Sequence, residues 1–167
     1  MRNNQNRKQG QKHEETLARR SGLELVPGSG SGMYKHGDLY SKEWHVEAKS
    51  TRQATMTFQS KWFSKLHNQA VRACRPKAAL CFEYLRRDPE YSGHLEFAAL
   101  LQEPEGEFLK DLGKKVSDSF SLKQVVFQEL SGDKYITLDV EKQGSTYPVY
   151  FVTLEHFLRE ISNGEAE

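Results

Sequence analysis

The chain predicts an α/β fold, a mixed central sheet flanked by helices, and three observations predict it. Phe58, Trp62, Phe63, Leu66, Ala70 and Ala73 form an apolar stripe at helical spacing. A short, mostly apolar run over 78–84 follows it and reads as an interior strand. Before it lies Trp44-His45-Val46-Glu47-Ala48-Lys49-Ser50, which has the alternation of a strand. Strand, helix and strand in that order make a βαβ-like crossover, which lays the two strands in one sheet with the helix packed on it. At 167 residues the chain sits in the range of one domain with a proper core.

The remaining elements follow in order. Residues 1–10 are polar and basic and are expected to form a flexible arm that orders on a partner, leaving 11–167 as one domain. A helix is predicted over 11–20, with Glu14, Glu15, Leu17 and Ala18 in helical spacing and Ser21-Gly22 as its stop. A strand near 23–26 runs into Pro27-Gly28-Ser29-Gly30-Ser31-Gly32, and a short hairpin spans 38–50. The stripe helix covers about 58–73. Beyond Tyr84 the pattern predicts a strand over 95–101 and a short helix over 107–115. Strands over 125–130, 135–140 and 147–154 are separated by turns at Gly132-Asp133 and Gln143-Gly144, and a helix closes at 155–161. About 86–145 reads as an insertion into the same domain.

Composition bounds the compartment and the partners. Two cysteines, Cys74 and Cys81, are too few for a disulfide scaffold, which suits a reducing compartment. The N-terminus has no apolar stretch of a signal peptide, and no run is long enough to span a membrane. A soluble, cytoplasmic protein with no membrane partner is expected. The net charge of +1 hides an asymmetry: residues 1–80 hold fifteen Lys/Arg against six Asp/Glu, and residues 81–167 hold nine against seventeen. A nucleic-acid surface therefore belongs on the first half, where Arg19, Arg20, Lys35, Arg52, Lys61 and Lys65 are available for phosphates. The acidic half is expected to face away from DNA or to meet another protein.

The chemistry concentrates on the hairpin. Glu47 and Lys49 share one face of their strand, roughly 6.6 Å apart along it, with Asp38 upstream. Carboxylate oxygens suit a hard divalent cation such as Mg²⁺ (or Mn²⁺). A neighbouring lysine can orient the attacking water and balance developing charge on a phosphate. The plain alternative is an exposed ion pair on a solvated edge, worth under about 1 kcal/mol. The glycine-serine run favours the chemical reading, since glycines let backbone approach a ligand and serines offer hydroxyls to phosphate oxygens. Glu14 or Glu15 could reach the cation from the first helix, although both also fit as ordinary first-turn acids. Other constellations fail on spacing. His45-x-Glu47 lacks the Pro-Cys-x-x-Cys of zinc deaminases. No Gly-x-Ser-x-Gly elbow occurs, and Gly28-Ser29-Gly30 is not followed by Gly-Lys-Ser/Thr.

The order helix-borne Glu, Gly-Ser-Gly-Ser loop, Asp, then Glu-x-Lys resembles archaeal-type Holliday junction resolvases and their phage-borne relatives, of the PD-(D/E)XK nuclease superfamily. The likeness covers about 10–84 and is clearest at Gly10, Glu14, Leu17, 27–32, Gly37-Asp38 and 46–50. Gly37 stands where the superfamily motif has proline, and the interval from Asp38 to Glu47 is short. The resemblance implies a restriction-endonuclease-like fold. It implies Asp38, Glu47 and the Ala48 carbonyl as ligands of Mg²⁺ (or Mn²⁺), Lys49 as the catalytic lysine and Glu14 as the helix-borne acid. Ser29 or Ser31 would match a serine that touches DNA near the cut. It further implies a homodimer acting on branched DNA. A nuclease of linear or damaged duplex, or a non-catalytic DNA-binding scaffold, would carry the same sequence features.

Overall fold

The computed structural model describes residues 2–25, 38–113 and 115–165, with the backbone alone at 2–7, 38 and 165. Helix α1 (Arg2–Ser21) leads into β1 (Glu24–Leu25), β2 (Asp38–Tyr40) and β3 (Trp44–Thr51). Then come β4 (Thr55–Gln59), α2 (Ser60–Arg72) and β5 (Lys77–Tyr84). The second half supplies β6 (Glu96–Leu100), β7 (Glu107–Asp111), β8 (Val116–Ser117), β9 (Ser119–Lys123), a 3-10 turn (Gln124–Phe127), β10 (Lys134–Lys142), β11 (Ser145–Thr153) and α3 (Leu154–Glu165). The class is mixed α/β.

Among the described residues a nine-stranded sheet runs β1-β2-β3-β5-β6-β11-β10-β7, and β8 also pairs with β10. β1, β2 and β3 form an antiparallel meander. β3 and β5 are parallel from Trp44 opposite Lys77 to Thr51 opposite Tyr84, with α2 as the crossover between them. Each face of the sheet carries its own core. Phe58, Phe63, Leu66, Phe82, Phe97, Phe127 and Phe151 pack on the α2 side. Leu17, Leu39, Trp44, Val46, Cys81 and Phe157 pack on the side of α1 and α3. Phe97 and Phe127 approach to 4.5 Å between centroids, and the Trp44 ring meets Phe157 edge-on at 5.1 Å.

Several sequence expectations are corrected. The first helix, expected over 11–20, begins at Arg2; the Arg, Gln and Lys residues ahead of residue 11 are good helix formers and no proline interrupts them. The stripe helix begins at Ser60, because Thr55–Gln59 is strand β4, which buries Met56 and Phe58 on alternate positions. β4 pairs antiparallel with β9, and the Phe58 and Phe120 rings stack at 5.3 Å. The helix expected over 107–115 is instead β7, laid parallel to β10 with Phe108 against Tyr135 at 5.9 Å. Pairing with an existing strand outweighs helix propensity there. The strand expected over 125–130 is the 3-10 turn, which buries Gln124 and Phe127 three residues apart. The Gln124 amide accepts from the Asp88 N–H and donates to the carbonyls of Ala54 and Arg86, fixing that turn to two loops.

Candidate active site

Strand β3 sorts its side chains between the two cores. Trp44 and Val46 join the α1/α3 side, where Ala48 also packs. His45, Glu47 and Lys49 alternate with them and face α2. Trp62 and Gln69 lie seven residues apart on α2 and therefore on one side of that helix. Trp62 meets Lys49, whose ammonium sits 4.6 Å from the ring centroid. Gln69 meets His45, with Nε2 of the imidazole 3.0 Å from the amide Oε1.

Glu47 is buried, with 6 % of its surface exposed. Its Oε1 lies 3.4 Å from Lys49 Nζ, and the lysine keeps about a third of its side chain in solvent. The Glu47 Oε2 atom is buried and has no hydrogen-bond partner among the described residues. A buried carboxylate with one oxygen unserved costs stability unless something supplies positive charge or hydrogen-bond donors there. Asp38 stands opposite Glu47 in the β2–β3 register. Residues so paired across antiparallel strands are about 4.5–5.5 Å apart at Cα. Ala48 follows between Glu47 and Lys49, opposite Cys81 of β5. The sheet thus brings Asp38, Glu47, Ala48 and Lys49 to one place near the β2 end of the sheet.

Glu14 is buried and Glu15 is exposed. Helix α1 packs through Leu17 on the Trp44 and Val46 side, the face of β3 opposite Glu47 and Lys49. Among the phosphate-binding candidates, Arg19 donates to Thr16 within its own helix at 3.4 Å. Arg20 pairs with Glu96 at 2.8 Å. Arg52 is exposed just past β3. Lys61 lines a concavity of about 370 Å³ with Gln59, Ser60, Asp118, Ser119 and Lys142, so a lysine of the acidic half stands beside one of the basic half. Ser29, Ser31, Lys35 and the whole glycine-serine loop lie outside the described residues.

A second polar centre, which sequence reasoning missed, lies on the α1/α3 side. Ser50 Oγ donates to Glu83 Oε1 at 2.9 Å and lies 3.2 Å from His13 Nδ1. The hydroxyl has one proton and gives it to the carboxylate, so it accepts from His13 Nδ1–H. Glu83 stands directly opposite Glu96 on β6, and Arg20 holds the latter. Burial lowers the His13 pKa below its usual 6.5, opposed by the charges of Glu83 and Glu96, while Arg20 adds to the lowering. The signal was present in the sequence: Glu83 is an acid set inside the apolar run of β5.

Among the described residues no three His, Cys, Asp or Glu side chains gather as a metal-binding group, and the Asp38 carboxylate is outside that set. No helix among the described residues is long and apolar enough to cross a membrane. No protein family model matches the chain, and no curated protein or solved structure matches it.

Proposed function

We propose that the chain is a Mg²⁺- or Mn²⁺-dependent DNA endonuclease of restriction-endonuclease-like fold, acting on branched DNA as Holliday junction resolvases do. The observation that carries this reading is the buried Glu47 carboxylate. It shares a strand face with the Lys49 ammonium 3.4 Å away, stands in register with Asp38, and leaves Oε2 without a donor among the described residues. The element order supports it as well: a helix, a three-strand meander, a crossover helix and a strand parallel to the third.

The residues present fit a divalent cation, since an orphaned buried carboxylate oxygen beside a second acid is an oxygen donor set for a hard ion. Asp38, Glu47 and the Ala48 carbonyl would hold it. When bound, the ion supplies Lewis acidity toward a phosphate oxygen and a lowered pKa for water. Lys49, steadied by Glu47 on one side and the Trp62 ring on the other, orients water against the phosphate and offsets the charge that builds there. Glu14 stands on α1, which packs on the face of β3 opposite Glu47 and Lys49, and is given no part in holding the ion. The basic residues of the first half hold the sugar-phosphate backbone, which favours recognition of DNA shape over sequence. A homodimer would present two such sites to symmetric strands of a junction.

The test is incubation with four-way junctions, flaps and linear duplex in Mg²⁺ or Mn²⁺. Symmetric cutting of the junction, lost in Glu47→Gln and Lys49→Ala, is the expected result. Inertness on all three substrates ends the enzyme reading. Equal cutting of linear duplex moves the activity to a restriction or repair type.

A further inference from the structure

His45 has no place in the reading above, yet its surroundings are those of a metal ligand. The side chain is buried, with 5 % of its surface exposed. Its Nε2 lies 3.0 Å from the Gln69 Oε1, and an amide oxygen can only accept. In the neutral ring the proton is therefore on Nε2, and Nδ1 carries the lone pair. That Nδ1 is buried and has no hydrogen-bond partner among the described residues. Two positions along the same face of β3, the Glu47 Oε2 is in the same condition.

Two buried acceptors side by side on one strand face, neither with a donor, call for an electron-pair acceptor between them. Neither can satisfy the other. A protein donor is absent among the described residues, and Lys49 serves the other oxygen of Glu47. The Gln69 contact is also the arrangement that fixes a ligating imidazole: the ring nitrogen away from the metal donates to a neighbouring oxygen, which sets tautomer and orientation.

We propose that His45 Nδ1 is a ligand of the cation held by Glu47, and that Gln69 is the positioning residue that presents it. This rests on the Glu47 cation site of the proposed function and goes beyond it by naming an imidazole donor. An imidazole in the ligand set changes which ion the site prefers. Carboxylate and carbonyl oxygens alone suit Mg²⁺ and Ca²⁺, whereas a nitrogen donor moves preference toward first-row transition ions. The site is selective for Mn²⁺ and Co²⁺ over Mg²⁺ and Ca²⁺, whatever DNA the protein cuts.

The experiment uses the full chain with MnCl₂, CoCl₂, MgCl₂ and CaCl₂ as probes and needs no turnover. Calorimetry measures uptake, and pulsed EPR of bound Mn²⁺ detects coordinated imidazole nitrogen, with ¹⁵N-histidine labelling to assign it. The wild type is expected to show the nitrogen coupling and His45→Ala to lose it. Mn²⁺ affinity should fall about ten-fold or more in His45→Ala and by a similar factor in Gln69→Leu, with Ca²⁺ binding left nearly unchanged. Circular dichroism of both variants, with His45→Gln as a polar replacement, guards against unfolding as the cause. If Mn²⁺ binds and is lost in Glu47→Gln, but no histidine coupling is seen or it survives His45→Ala, the inference is overturned and the cation site at Glu47 stands. Absence of saturable Mn²⁺ uptake overturns both.

Discussion

A half-buried glutamate, Glu83, and a buried one, Glu47, lie on neighbouring strands, β5 and β3, on opposite faces of the sheet, and they are treated differently. Glu83 is closed: Ser50 donates to its Oε1, and His13 stands behind the serine. Glu47 is open: Lys49 reaches one oxygen and nothing described reaches the other. Folding normally leaves few buried polar atoms without partners, because each costs about 1–3 kcal/mol. A centre that satisfies its acid is explained by structure alone. One that leaves its acid unsatisfied, next to a held ammonium and opposite a second acid, is paying for something other than stability.

The sharpest way to break this contrast is Glu47→Gln. Cleavage of a junction substrate should fall by about 10³-fold or more, since several kcal/mol of transition-state stabilisation depends on the charge that holds the cation. The melting temperature should hold or rise, because a buried carboxylate with an unserved oxygen is replaced by a neutral amide of the same shape, and the Lys49 ammonium left without its partner is about a third in solvent. Gel assays and thermal melts on the same preparation read both. A large drop in stability with cleavage intact would make Glu47 the structural acid and reverse the comparison.

Ser50→Ala probes the closed centre. The His13–Glu83 separation is 3.9 Å, too long for a hydrogen bond, so the hydroxyl is what joins them. Its loss strands a buried N–H and a carboxylate oxygen, and the expected cost is about 1–3 kcal/mol in urea unfolding. Cleavage should survive at temperatures where the variant is folded, because Ser50 faces away from Lys49. Loss of cleavage without loss of stability would tie this centre to the chemistry.

The difference between the centres also marks how much could be read in advance. Period-two alternation in β3 placed Glu47 and Lys49 on one face, and the 3.6-residue stripe placed α2 on the sheet, because both depend only on local spacing. The pairing of β3 with β5 followed from the crossover. Of the closed centre only Glu83 was legible, as an acid inside the apolar run of β5; His13, Ser50 and Glu83 are far apart in sequence and meet only through the register of β3 with β5 and the docking of α1. Strand β4 and the β7 edge were missed for the same reason, since each takes its conformation from a partner strand found much later in the chain. Spacing puts Trp62 on the apolar stripe, but its contact with Lys49 needs the tertiary structure to be seen.

The two centres should also differ in pH. His13 has a lowered folded pKa, chiefly from burial, so the unfolded chain binds its proton more readily near the usual 6.5. The stability contributed by neutral His13 is fully present above that value and is lost as pH falls through it toward the folded pKa. Melting temperature is therefore expected to drop as pH falls through the usual 6.5, with a shallower drop in His13→Gln. An identical slope in the variant would remove His13 from the pH response.

The smallest effect separates arginines already engaged from lysines that are available. Arg20 was a phosphate candidate, but its guanidinium is committed to Glu96 at 2.8 Å, with both side chains about 40 % exposed. Such a pair is worth about 0–1 kcal/mol, so Arg20→Ala should barely move the melting temperature. It should also leave the dependence of DNA affinity on salt unchanged, since releasing Arg20 for a phosphate would expose Glu96 next to Glu83 on the same face. Lys61, in its concavity with Asp118 and Lys142, makes no such ion pair among the described residues. Lys61→Ala should reduce the slope of log affinity against log salt by about 1, the signature of one lost phosphate contact. If Arg20→Ala lowers that slope and Lys61→Ala does not, DNA crosses the α1 side of the sheet, and Glu96 gives up its arginine when DNA binds.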